Sequence, residues 1–293
     1  MTRLIRYQKL AVLFLLLLVP ASGYAQRDPP VQQLELKSAL LGRSINYRVL
    51  FPVNYYSADK EQKRFPVIYL LHGLTGESAN WIDKTRIALY ATHYDLFVVM
   101  VEGGNGWYTD SATVPADKYE SYILQELIPD VEKRFRVSKE RDGRAVAGLS
   151  MGGYGALKFG FKHPDLFAFV ASMSGAFGAA NWTDADLKNS ESIKKSLLNI
   201  FGPMGSPTRA DNDVFKLVRQ VSADTVKSLP FVYLDCGTED FLFQDNRALV
   251  GLLLEKKIPH EYRELPGKHD WQYWDRQIQE ILKLTSQRLA PPR

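Results

Sequence analysis

The chain has 293 residues, 45% hydrophobic and 12% aromatic, which is ample for one large buried core. Its formal charge of +4 owes three positive charges to Arg3, Arg6 and Lys9, so the chain beyond residue 25 carries only +1 and lacks the basic footprint of a nucleic-acid-binding protein. Cys236 is the only cysteine, which excludes an intramolecular disulfide and a cysteine-based metal site.

The N-terminus reads as a targeting segment. "MTRLIRYQK" is basic, "LAVLFLLLLV" is a ten-residue apolar run, and "PASGYA" places Gly23 and Ala25 at the −3 and −1 positions of a cleavage site. That order describes a secretory signal peptide cut after Ala25, with the mature chain exported to the periplasm or beyond. Ten apolar residues fall short of the ~20 that a spanning helix needs, so no stable membrane span is expected after cleavage. Residues 26–293 are expected to form a single domain.

From Leu34 to Pro52 two strand-like segments flank Gly42-Arg43 and predict an antiparallel hairpin. The pattern then changes. "PVIYLLHG", "LFVVMVEGG", "RAVAGLS", "FAFVASMSG" and "FVYLDCGTED" are short, nearly continuous apolar runs, as suits strands buried on both faces of a parallel sheet. Helical periodicity lies between them. "KYESYILQELIPDVEKRF" aligns Tyr122, Leu124, Leu127, Ile128 and Val131 on one side, and "FQDNRALVGLLLEKK" aligns Leu249, Leu252 and Leu253. The last strand candidate, "PHEYREL", precedes a final helical segment, "YWDRQIQEILKLTSQRL". Strand and helix in alternation predict an α/β fold with crossover helices. Residues 177–228 break this rhythm and are expected to form an insertion beside the sheet.

Gly148-Leu149-Ser150-Met151-Gly152 is a G-x-S-x-G pentapeptide between a strand and a helix. Mechanically it is a sharp turn that lifts a serine hydroxyl above the sheet, with glycines where backbone segments crowd together. A serine hydroxyl is a weak nucleophile that needs an adjacent base, itself oriented by an acid. In this type of fold the order is serine, acid, histidine. Of the histidines after Ser150, His163 ends the serine's own helix and His260 opens a strand. His269, in the loop after the last strand, is the candidate base. His72 and His93 read as structural and loop residues. For the acid, Asp235 falls inside a strand and Asp245 inside a helix, whereas Glu239 and Asp240 occupy a loop at a strand's C-terminal end. Asp240 is favoured over Glu239, and Asp270, next to His269 in sequence, is expected to diverge from it. An oxyanion site needs two donors. The Met151 amide supplies one, and the Leu74 amide after His72-Gly73 the other.

"HGLTG", "GGNGWYTD", "GLSMGGYGAL", "CGTEDFL" and "KHDWQYW", in this order, resemble the esterase D superfamily. That group holds S-formylglutathione hydrolases, feruloyl and acetyl-xylan esterases, short-chain acyl esterases and mycolyltransferase antigens. The resemblance runs from about Leu34 to Leu284. It implies an α/β-hydrolase sheet of about eight mostly parallel strands, no cofactor and no metal. It also implies Ser150 as nucleophile, Asp240 as acid, His269 as base, and the Leu74 and Met151 amides as oxyanion donors. It places Trp107 and Tyr108 near the substrate. In "MVEGGNGWYTD" the chain departs from the family, because Glu102 stands where an aspartate is usual, and no role carries over to it.

The expectation is therefore a secreted serine carboxylesterase acting on feruloyl, acetyl or simple short-chain esters. Plant polymers are one source of such esters. The export signal argues against cytosolic glutathione thioesters. An alternative keeps the fold and transfers the acyl group to a sugar hydroxyl. Another makes the chain a non-catalytic carbohydrate-binding protein using the "GWY" and "DWQYW" aromatics.

Overall fold

The computed structural model describes residues 31–56, 63–187 and 190–291, so the signal-peptide expectation for residues 1–25 lies outside the described residues. The strands are β1 (Val31–Ser38), β2 (Arg43–Leu50), β3 (Val67–Leu71), β4 (Phe97–Val101), β5 (Arg144–Leu149), β6 (Phe169–Met173), β7 (Phe231–Gly237) and β8 (His260–Leu265). They form one eight-stranded sheet in the order β1-β2-β4-β3-β5-β6-β7-β8. β1 pairs antiparallel with β2, and β2 antiparallel with β4, while every other pairing is parallel. This is the α/β-hydrolase arrangement expected, with an N-terminal antiparallel hairpin turning at Gly42 (φ +64°).

The difference between the two kinds of strand follows from what covers them. β3, β4, β5 and β6 are buried along their whole length, which is why their sequences carry no polar alternation. β2 alternates instead, burying Ile45, Tyr47 and Val49 and exposing Ser44 and Asn46. Successive strand side chains point to opposite faces and so feed two cores. Tyr69, Val99 and Val146 pack on one side with Tyr154 and Leu249, while Ile68, Val98 and Ala147 pack on the other with Tyr273 and Ile278.

The helices are α1 (Asn80–Lys84), α2 (Ile87–Ala91), α3 (Tyr119–Tyr122), α4 (Ile128–Arg134), α5 (Met151–Lys162), α6 (Glu191–Phe201), α7 (Pro207–Asp211), α8 (Val214–Gln220), α9 (Phe243–Glu255) and α10 (Trp271–Arg288). A π-turn over Ile123–Leu127 joins α3 to α4. Here the expected apolar face needs correction, since Ile123 is buried and Leu124 only half-buried. Pro129 cannot donate a helical hydrogen bond, and its ring crowds the carbonyl four residues back; the wider turn absorbs this and rotates the register. Residues 177–228 hold α6, α7 and α8 between β6 and β7, with α8 packed on α5 and α9. No helix among the described residues is long and apolar enough to cross a membrane.

Asp235, within β7, is fully buried. Its Oδ1 accepts the Tyr273 hydroxyl proton at 2.9 Å, while Oδ2 has no partner among the described residues. Burial pushes this carboxyl up to about 7, against the opposing pull of the Tyr273 hydrogen bond. A carboxyl raised on folding contributes stability that is full below its unfolded value of 3.8 and is lost as pH rises through about 7. Asp235→Asn is therefore expected to raise Tm at pH 8 and to flatten the decline of Tm between about pH 4 and 7. Thermal melts across that range check it, and a variant no more stable than wild type at pH 8 would contradict it.

Candidate active site

Ser150 sits between the end of β5 and the start of α5 with φ +53° and ψ −116°. A non-glycine residue held there costs on the order of 1–3 kcal/mol, so the turn must be over-determined by its surroundings. The Ser150 amide donates to the Met173 carbonyl at 2.9 Å, and the Ser150 carbonyl accepts from Ala176 at 3.1 Å. The flanking glycines answer to space. A Cβ on Gly148 would lie 2.5 Å from the Gly152 carbonyl, and one on Gly152 would lie 2.5 Å from the Leu71 carbonyl. β5, α5 and the end of β3 can meet only because those atoms are missing.

Three side chains distant in sequence converge at this turn. His269 Nε2 lies 3.0 Å from Ser150 Oγ, and His269 Nδ1 lies 2.8 Å from Asp240 Oδ2. The other Asp240 oxygen accepts the Leu242 amide at 2.8 Å, which fixes the carboxylate in its loop. An acceptor at Nδ1 selects the Nδ1–H tautomer, leaving Nε2 free to accept from the serine hydroxyl. The Asp240 carboxylate is wholly buried and the imidazole is mostly so. The Phe241 ring tilts over the imidazole with centroids 4.6 Å apart, and Trp274 meets it edge-on at 4.9 Å. Met151 is the first residue of α5 and Leu74 lines the same cleft as Ser150. Neither amide has a hydrogen-bond acceptor among the described residues, leaving both available to an incoming oxygen.

The remaining candidates separate from this cluster. Glu239 is exposed and lies 3.9 Å from Lys268. Asp245 stands in α9 against the Trp182 indole, and Asp270 caps α10 by accepting the Tyr273 amide at 2.9 Å. His163 approaches Glu120 at 3.1 Å, His260 the Ile258 carbonyl, and His93 the Tyr90 carbonyl. Glu102 accepts the Ser78 and Gly104 amides, each at 2.9 Å. Its Oε1 lies 3.4 Å from His72 Nε2. Among the described residues no group of three or more His, Cys, Asp or Glu side chains is placed to hold a metal ion.

Trp107 and Tyr108 part company. Trp107 lines the cleft, with its indole N–H donating to Ser196 Oγ at 3.0 Å. Tyr108 does not reach the cleft, and this corrects the expected substrate contact. Its ring is fully buried in a niche left by Gly103 and Gly155, and its hydroxyl donates to the His72 carbonyl at 2.8 Å.

The cleft has a volume of about 490 Å³ and is walled by Trp107, Trp182, Ile193, Phe241, Trp271 and Trp274. Trp182 and Ile193 come from the 177–228 segment and were not singled out from sequence. Phe241, 75% exposed beside Asp240, could have been found from its position in "TEDFLF".

A serine, histidine and aspartate in hydrogen-bond series at the carboxyl edge of such a sheet define the serine-hydrolase class of α/β-hydrolase proteins. The chain belongs to the Esterase family, whose model matches residues 38–285, within the esterase D-like superfamily, and it is a serine esterase. It is 28% identical to an acetyl esterase of Caldicellulosiruptor saccharolyticus over 85% of this chain and 95% of that one. Among solved structures it resembles a substrate-bound fluorophosphonate-binding serine hydrolase of Staphylococcus aureus, with TM-score 0.77 and 29% identity over 88% of this chain and 98% of that one. A ferulic acid esterase matches with TM-score 0.75 and 27% identity over 90% of this chain and 99% of that one.

Proposed function

We propose that the chain is an exported carboxylesterase in which Ser150 attacks the ester carbonyl. His269 takes the hydroxyl proton at Nε2 and returns it to the leaving alkoxide. Asp240 steadies the imidazolium, and the Leu74 and Met151 amides hold the oxyanion. Water deprotonated by the same Nε2 then attacks the acyl-enzyme and releases the acid, restoring the serine. The observation that carries this reading is the unbroken series Asp240–His269–Ser150. Acetyl, short acyl and feruloyl esters, including those of plant polysaccharides, are the proposed substrates. The acetyl esterase relative and the ferulic acid esterase structure support that range. The basic, apolar and small-residue order of the N-terminus supports export.

The purified protein is expected to hydrolyse p-nitrophenyl acetate, p-nitrophenyl butyrate and methyl ferulate. Product analysis with and without added sugars separates hydrolysis from transfer, since an acylated sugar would mark a transferase. Turnover no faster than buffer on all three, with polysaccharide retained, would overturn the esterase reading in favour of a binding protein.

A further inference from the structure

The Leu74 amide is aimed by a buried network that the reaction itself does not touch. It belongs to the Gly73–Leu74 peptide unit, whose carbonyl accepts from His72 Nδ1 at 2.7 Å and from the Gly76 amide at 3.1 Å. The His72 proton resides on Nδ1, because Nε2 accepts the Gly103 amide at 3.0 Å. A trans peptide is planar with N–H and C=O opposed, so holding the Gly73 carbonyl sets the direction of the Leu74 N–H. One peptide upstream, the His72 carbonyl is held by the Tyr108 hydroxyl at 2.8 Å.

Tyr108 is fixed at its other end. Trp107 and Tyr108 both have left-handed backbone (φ +50° and +51°), a conformation that needs external support. That support is Lys158, which is fully buried, with Nζ 2.5 Å from the Tyr108 carbonyl, 2.8 Å from Thr109 Oγ1 and 2.7 Å from Glu120 Oε2. Burying an ammonium is costly unless it is paired and hydrogen-bonded, as it is here. Lys158 stands on α5, about two turns beyond Ser150. The nucleophile's helix and the loop that carries the Leu74 amide are thus tied through one chain of contacts.

We propose that Tyr108 is a positioning residue for the oxyanion site, fixing the His72–Gly73–Leu74 backbone through its hydroxyl, with Lys158 locking Tyr108 to α5. The proposal rests on the reading of Ser150 as nucleophile. Tyr108→Phe keeps the ring in its niche and removes only the hydroxyl. With p-nitrophenyl butyrate its kcat is expected to fall by about fivefold or more while KM changes less than about twofold. Affinity for a trifluoromethyl ketone, whose adduct places an oxyanion in the site, is expected to fall with kcat. A merely structural Tyr108 would lower Tm yet leave kcat and ketone affinity within about fivefold of wild type well below the melting range, and that result overturns the proposal. Should Tyr108→Phe fail to fold, the double variant Lys158→Met with Glu120→Gln answers through the same readouts, since removing both members of a buried pair is better tolerated than removing one. Ser150→Ala separates the two failures. If it retains turnover, the nucleophile reading falls. If it abolishes turnover while Tyr108→Phe is unaffected, only the positioning role falls.

Discussion

Replacing Ser150 by alanine is expected to lower kcat by about 10⁵- to 10⁶-fold, and replacing it by glycine to do the same, while the two variants differ in stability. The hydroxyl is the only atom at this turn able to form an acyl bond, and His269 Nε2 lies 3.0 Å away, ready for its proton. What survives is the assistance the two amides and the cleft give to water. Stability separates the variants because alanine keeps a Cβ in the φ +53° conformation, whereas glycine adopts it without steric cost. Ser150→Gly is therefore expected to be more stable than Ser150→Ala, by about 1 kcal/mol. Kinetics with p-nitrophenyl butyrate and thermal melts of the three proteins check both parts. A Ser150→Ala enzyme with a hundredth of wild-type turnover would remove the hydroxyl from the chemistry. A glycine variant less stable than the alanine one would remove the strain.

The strands and the three side chains that converge at the Ser150 turn were legible for one physical reason. Strands covered on both faces must be apolar throughout, so β3 to β6 stand out as short unbroken runs, and whatever polar residue ends such a run emerges at the carboxyl edge. Ser150, Asp240 and His269 all sit just past strand ends, so position pointed to Ser150 and His269 and narrowed the acid to Glu239 or Asp240, a choice made only by the side-chain geometry. The same reasoning fails where partners are remote and no periodicity marks direction. Tyr108 follows three glycines in a loop and reads as an aromatic free to meet a ligand, yet part of its niche is made by Gly155, far along the chain in α5. Nothing in "GALKFG" marks Lys158 as buried or paired, and only the fold reveals Glu120 across from it. That pairing holds the Glu120 carboxyl well below its ordinary range, since the nearby Lys158, His163 and Lys162 outweigh the opposing effect of burial. Trp182 and Ile193 belong to a segment without strand–helix rhythm, so their place in the cleft wall follows from tertiary packing alone. The π-turn did leave a trace, Pro129, but a proline tells where a helix is disturbed without telling how the face rotates.

Asp240→Asn is expected to lower kcat by about 10⁴-fold with little change in KM, and the reason lies in the second oxygen of the carboxylate. In the wild type each oxygen has its own donor, Leu242 N–H on Oδ1 and His269 Nδ1–H on Oδ2. An asparagine keeps only one oxygen. The Leu242 amide is a fixed backbone donor in a buried loop, and it claims that oxygen, because an N–H facing an NH₂ would leave both unpaired. The asparagine NH₂ then faces His269 Nδ1 and donates to it, which moves the ring proton to Nε2. In that tautomer Nε2 no longer accepts from Ser150, so the base is blocked even though every heavy atom keeps its place. The negative charge that would stabilise the imidazolium is lost as well. Nitrogen NMR of His269 should report the exchanged tautomer alongside the fall in kcat. Glu239→Gln is the matched control, since Glu239 is exposed, and its activity is expected to stay within about twofold of wild type. If Asp240→Asn retained a tenth of wild-type turnover, the buried carboxylate would not govern the histidine. A loss in Glu239→Gln instead would transfer that role to the neighbouring acid.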